Sequence, residues 1–131
     1  MASSNHGATV TEIVRQWDRV QVLPHRFGGV EFRVGNREIG HVHVGNVADL
    51  LVSVRMRRDL VAAGRATPHR TLPHSGWISF RIRSEHDVPA VIALFRLNYD
   101  RLCGNPLRAS VHQVLGRARL LADRSIDDLP A

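Results

Sequence analysis

The sequence of 131 residues has one cysteine, no lysine and no long apolar run. The single cysteine, Cys103, cannot form a disulfide within the chain, which is typical of a reducing compartment such as the cytoplasm. No segment approaches the roughly 18 apolar residues that a membrane helix needs. The first residues lack a basic segment followed by an apolar one, which disfavours a secretory signal. We therefore expect a soluble cytoplasmic protein with no membrane partner.

The basic residues are numerous but do not form a nucleic-acid-binding pattern. All 18 are arginine, and the formal net charge is +6. A cationic surface attracts phosphate groups. The arginines, however, are spread from Arg15 to Arg124, and the few aromatic residues do not alternate with them as stacking platforms would. We therefore expect no nucleic-acid partner.

Apolar residues recur at the spacings of both helices and strands. Helical spacing predicts a helix from Thr9 that includes Val20 and cannot pass Pro24, and further helices over 56–63, 88–102 and, more weakly, 107–122. Strands are predicted at 30–34, 37–44, 49–54, 69–72 and 77–82. The fold class that follows is α+β: a mostly antiparallel β-sheet of about five strands backed by an N-terminal helix, a middle helix and a long C-terminal helix.

The length suits a single domain with a real core. Residues 1–8 are small and polar, so we predict a disordered N-terminus there. The single domain is predicted to span residues 9–122, and residues 123–131 are predicted to be a C-terminal tail. No internal repeat or linker divides the chain.

The clearest local element is a hairpin across the turn Gly35-Asn36. A two-residue turn sets the register, and Arg33 then faces Glu38 as an opposite-charge pair. The same register places three further pairs: Val34 with Arg37, Phe32 with Ile39, and Val30 with His41.

Histidine is the residue type that points to chemistry. The chain has 8 histidines, of which five lie on the predicted sheet or its turns: His25, His41, His43, His69 and His74. His41 and His43 are two apart on a strand, so they share a face, roughly 7 Å apart along it. In the predicted register that face is apolar, where an imidazole must be hydrogen-bonded, bound to a metal or exposed to a cavity.

Three interpretations of this cluster remain open. The histidines are structural, or they form a catalytic or ligand-binding pocket without metal, or they begin a metal site that a third histidine or a carboxylate completes. Strand alternation places Glu38 on the opposite face, so His69 or His74 would have to complete a metal site. Trp77 either packs in the core or forms the wall of a pocket for a planar ligand.

Several segments together resemble the luciferase-domain family, which groups small bacterial proteins with the luciferases of bioluminescent fungi. The resemblance covers about residues 20–102. The segments that carry it are Pro24 to Phe32, Arg37 to His43, Ser75 to Phe80, Asp87 to Ala90 and Leu94 to Tyr99.

The resemblance implies an oxidoreductase of the monooxygenase type. The fungal enzymes oxidise the hydroxypyrone 3-hydroxyhispidin with molecular oxygen, without an added organic cofactor, and emit light. By resemblance, the catalytic candidates are His25, His41, His43, His69 and His74. The candidates for binding an enol or phenol are Arg26, Glu38, Ser75 and Trp77. The alternatives are a non-enzymatic ligand-binding or interaction module with structural histidines, and a metal-dependent enzyme with histidine ligands.

Overall fold

A computed structural model describes residues 5–104. It contains one sheet of six strands in the order β1-β2-β3-β4-β6-β5, and every neighbouring pair is antiparallel. The strands are β1 Val20–His25, β2 Gly29–Val34, β3 Arg37–His43, β4 Val47–Leu51, β5 Thr67–Pro68 and β6 Trp77–Arg81. The helices are α1 His6–Val14, α2 Val54–Ala62 and α3 Val88–Leu102. The predicted α+β class is confirmed.

The core lies between one face of the sheet and the helices α1 and α3. Helix α3 packs against α1 and against strands β3 and β4. Phe32 of β2 and Phe95 of α3 are fully buried, and their rings meet edge to face with centroids 5.5 Å apart. Because the core occupies one face of the sheet, the opposite face is left for polar side chains.

Within the described part of the chain, no helix is long and apolar enough to cross a membrane.

Helix α1 and strand β1 differ from the prediction. The helix begins at His6, within the segment predicted to be disordered, because the Asn5 side chain accepts a hydrogen bond from the Ala8 amide at 3.0 Å. It ends at Val14, so Val20 belongs to β1 rather than to the helix. Strand β1 was not predicted. It is an edge strand, where Pro24 is tolerated because that position needs no ladder donor.

The other boundaries shift by a few residues. The Ser53 hydroxyl accepts a hydrogen bond from the Met56 amide at 3.1 Å, so α2 begins at Val54 and β4 ends at Leu51. Strand β5 is only Thr67–Pro68, rather than residues 69–72. The helix predicted over 107–122 and the tail predicted over 123–131 lie outside the described residues.

A β-bulge in β3 corrects the predicted hairpin register. Arg33 faces Glu38 as predicted, but Phe32 then pairs with Gly40 instead of Ile39. Ile39 is therefore the extra residue of a bulge, and every later residue of β3 changes face. The prediction that His41 and His43 share the apolar face is wrong. His41 lies opposite Glu31 on the other face, and Glu38 lies on that same face.

Candidate functional site

The strand register aligns four polar residues in a row across the sheet, on the face away from α3. Glu31 of β2 is opposite His41 of β3, His41 is opposite Asp49 of β4, and Asp49 is opposite Ser79 of β6. Directly opposite residues on adjacent strands are close enough for their side chains to contact. Each of the four strands thus contributes one side chain to a single polar row.

Both ring nitrogens of His41 face carboxylates. Nδ1 is 2.6 Å from Glu38 Oε2 and Nε2 is 3.3 Å from Asp49 Oδ2. His41 is only 7% exposed. Burial opposes a charged imidazole, but the hydrogen bonds to Asp49 and Glu38 outweigh it and raise the pKa of His41 to about 9. At neutral pH this ring carries both protons and donates to both carboxylates.

Asp49 is the central acceptor of the network. Its Oδ2 accepts a hydrogen bond from His43 Nε2 at 2.8 Å, and its Oδ1 accepts one from the Ser79 hydroxyl at 2.6 Å. Burial opposes the charge of this carboxylate, but the hydrogen bonds from His41, Ser79 and His43 hold the pKa of Asp49 well below its usual range. Asp49 is a fixed negative charge beneath the histidines.

His25 completes the cluster from the edge strand. Its Nδ1 is 3.2 Å from Glu31 Oε1, and the other oxygen of Glu31 contacts Arg33 Nε. Burial favours the neutral acid, but Arg33 and His25 together lower the pKa of Glu31. The ring of His25 stacks on that of His41 with centroids 3.9 Å apart and an interplanar angle of 16°. Nδ1 of His25 therefore has a charged partner, whereas Nε2 of His25 makes no contact with Glu31.

His69 and Trp77 lie next to the histidine cluster and border it on one side. The Thr71 amide donates to His69 Nδ1 at 3.3 Å, so the ring proton lies on Nε2, which is 3.7 Å from Asp49 Oδ2. The Trp77 ring lies 5.2 Å from that of His41 and 6.3 Å from that of His69. An aromatic surface thus borders the cluster.

The remaining candidates lie apart from these contacts. His74 is exposed between β5 and β6, and Arg26 is exposed in the turn after His25. The Ser75 hydroxyl donates to the Leu72 carbonyl at 2.6 Å and accepts from the Trp77 amide at 3.1 Å. Ser75 therefore stabilises the turn before β6.

The sequence analysis did not predict three acidic or hydroxyl residues that belong to the hydrogen-bond network of the cluster: Glu31, Asp49 and Ser79. Asp49 had one usable signal, because an acidic residue inside an apolar strand is buried only with partners. Glu31 and Ser79 had none, because polar residues that alternate along a strand ordinarily face solvent.

The histidines converge, but two of them are stacked. One ring nitrogen from each of His25, His41 and His43 lies within 4.8 Å of the others, a spacing that small movements could turn into metal ligation. Nitrogen lone pairs lie in the ring plane, and the nearly parallel planes of His25 and His41 do not meet at one ion. Binding one ion through all three histidines therefore requires one ring to turn.

The fold and the cluster define an α+β domain with a partly buried histidine–carboxylate network on one face of its sheet. The family model described as Luciferase domain matches residues 36–98, just under half of the chain. Over this segment the chain is similar to the luciferase-domain family, in agreement with the resemblance noted from the sequence. The segment includes His41, His43 and Asp49, whereas His25 and Glu31 precede it. No match was found among curated proteins or among solved structures.

Proposed function

We propose that the chain is a luciferase-like oxygenase that binds an acidic enol or phenol of the hydroxypyrone kind at the histidine cluster. The observation that carries this proposal is that each of the three converging histidines contacts a carboxylate. Glu31 faces His25, Glu38 faces His41, and Asp49 faces both His43 and His41. A carboxylate that orients an imidazole and stabilises its protonated form is a recurrent arrangement for proton transfer.

The contacts support different proposed roles for His25 and His41. His25 is the proposed base, because Glu31 holds its Nδ1 and leaves Nε2 to accept the hydroxyl proton of the substrate. His41 contacts a carboxylate at each nitrogen, so it has no free lone pair. It would instead place positive charge near the anion. Trp77 offers a ring for stacking, and Arg26, in the turn after His25, would bind the anion.

The proposed reaction uses dioxygen as the only oxidant and needs no organic cofactor. His25 takes the hydroxyl proton and leaves an enolate. One electron pair of the enolate forms a bond between carbon and one oxygen atom, and the oxygen–oxygen bond order falls to one. The resulting peroxide anion takes the proton from His25, which gives a keto hydroperoxide. All atoms of the enol and of dioxygen are then in the product.

Oxygen uptake with 3-hydroxyhispidin tests the proposal, with light emission recorded in parallel. We expect uptake by the wild-type protein and a fall of about 10²-fold or more in His25→Gln, because general base catalysis contributes that much. His74→Gln is the matched control, since His74 is exposed and outside the cluster. Ligand binding without oxygen uptake would reject the oxygenase and favour a binding module. Equal rates in His25→Gln and wild type would reject the base.

A metal-dependent enzyme is the second candidate, favoured by the 4.8 Å convergence of His25, His41 and His43. A carboxylate on the other ring nitrogen is also the usual partner of a metal-bound histidine. Metal analysis of untagged protein from metal-rich growth decides this candidate. About one equivalent that survives dialysis and is lost in His43→Ala would support it, whereas metal-free wild-type protein would reject it.

A further inference from the structure

We propose that Asn98 is a positioning residue of the histidine cluster: from the helical side of the sheet, it holds the Ile39 bulge that brings His41 onto the same face as Glu38. Its effect on catalysis rests on the proposed function, whereas its effect on the Glu38–His41 contact does not.

Asn98 is fully buried in α3, on the side of the sheet opposite the cluster. Its Nδ2 donates one hydrogen to the Ile39 carbonyl at 2.8 Å and the other to the Leu51 carbonyl at 2.9 Å. Its Oδ1 accepts a hydrogen bond from Arg101 Nε at 2.9 Å. Both donors are thus used, and the bond from Arg101 fixes which end of the amide faces the sheet.

A donor of this kind stabilises a bulge. An extra residue disrupts the ladder locally, and a buried carbonyl that the ladder leaves without a partner is costly. The Asn98 amide supplies a bond to the carbonyl of Ile39 itself. The same amide also bonds to the carbonyl of Leu51 at the end of β4, so Asn98 links the bulge in β3 to the neighbouring strand.

The bulge decides whether Glu38 reaches His41. In a regular hairpin, Ile39 would pair with Phe32, and Glu38 and His41 would point to opposite faces. With the bulge they share a face, and Glu38 Oε2 lies 2.6 Å from His41 Nδ1. Asp49 and the stacked His25 contact His41 from neighbouring strands. Glu38 is the neighbour on the same strand, on the other side of the bulge, so its contact with His41 requires the bulge.

The test observes the proton between Glu38 and His41 in protein labelled with ¹⁵N-histidine. A proton in so short a charge-assisted bond gives a strongly downfield, slowly exchanging NMR signal. We expect this signal in the wild type and its loss in Asn98→Ala. Glu38→Gln, which removes the charged acceptor and leaves the bulge, is the reference for its loss. Persistence of the signal in folded Asn98→Ala would overturn the proposal.

Tyr99→Phe is the matched control. Tyr99 is the next residue of α3, and its hydroxyl donates to the Asp18 carbonyl at 2.8 Å without contacting the bulge. This variant loses a comparable bond and should keep the signal, and loss of the signal would show that any damage to α3 suffices. If Asn98→Ala does not fold, Asn98→Ser makes the same test, because one hydroxyl cannot reach both carbonyls.

The NMR readout needs no substrate, so it separates this proposal from the oxygenase proposal. If the wild type consumes oxygen with 3-hydroxyhispidin, Asn98→Ala should lower the rate to within about threefold of the Glu38→Gln rate. If the wild type is inactive, the NMR result still decides the role of Asn98.

Discussion

His25 and His41 stack with their ring centroids 3.9 Å apart, although they belong to strands β1 and β3, which are not neighbours in the sheet. Two stacked imidazoles repel each other if both are protonated. Two carboxylates contact the ring nitrogens of His41 and favour its charged form. The proposed function accordingly assigns the positive charge to His41 and the role of base to His25, whose Nδ1 contacts Glu31.

Substitution of His25 by Phe should separate stacking from proton transfer. Phenylalanine can stack on His41 but cannot accept a proton. We expect His25→Phe to lose oxygen uptake as fully as His25→Ala, by about 10²-fold or more, while keeping the higher melting temperature of the two. Oxygen uptake and thermal unfolding measure the two effects. Retained uptake in His25→Phe would assign the base elsewhere.

The stability of the metal-free protein should fall as pH rises through 9. The pKa of His41 is raised from 6.5 to about 9 in the folded state. Its contribution to stability is therefore fully present below pH 6.5 and is lost as the pH passes about 9. The expected loss is at most about 3 kcal/mol, at 1.36 kcal/mol per pKa unit. Urea unfolding at several pH values measures it.

Glu38→Gln is the control for this pH dependence. It removes one of the two carboxylates that favour the charged ring, so the fall in unfolding free energy between pH 6.5 and 9.5 should be smaller than in the wild type. An identical pH profile in both proteins would contradict the role of the Glu38–His41 pair.

Removal of the central charge should destabilise the fold strongly. Asp49→Asn leaves the buried His41 and the partly exposed His43 without their shared carboxylate, and breaking a buried ion pair such as His41–Asp49 costs about 3–5 kcal/mol. Ser79→Ala removes one hydrogen bond to Asp49 and should cost about 1–3 kcal/mol. Denaturant unfolding measures both. Asp18→Asn is the control, because the Asp18 side chain is 86% exposed, and a comparable loss there would show a nonspecific effect.

Gly29, which is paired with His25, makes room for the Val42 carbonyl of β3. A Cβ added there would lie 2.9 Å from the Val42 carbonyl oxygen and 3.5 Å from His25 Cβ. We expect Gly29→Ala to cost about 1–3 kcal/mol, as overpacking does, and to shift the ring resonances of His25. Gly35→Ala is a spatial control, since a Cβ there meets nothing within 4 Å, although its φ of +60° adds local strain. Unchanged His25 resonances in Gly29→Ala would contradict this account.

Local patterns predicted most of the elements. Helical spacing and strand alternation indicated α1, β2, β3, α2, β6 and α3, because an amphipathic element carries its period in its own residues. Strand β1 was missed because an edge strand with mostly exposed residues has no buried period to show. The bulge at Ile39 was missed because its Asn98 partner lies far along the chain.

The sequence by itself determined the α+β class, the hairpin turn at Gly35-Asn36 and the family resemblance, since these depend on neighbouring residues and on a pattern of motifs. It also indicated that His41 and His43 share a face. Only the tertiary structure decided which face that is and which carboxylates meet the rings. One inserted residue in β3 reverses the direction of every side chain after it, and that insertion is held by a contact from α3. The histidine pair is thus a local feature, whereas its chemistry comes from long-range pairing.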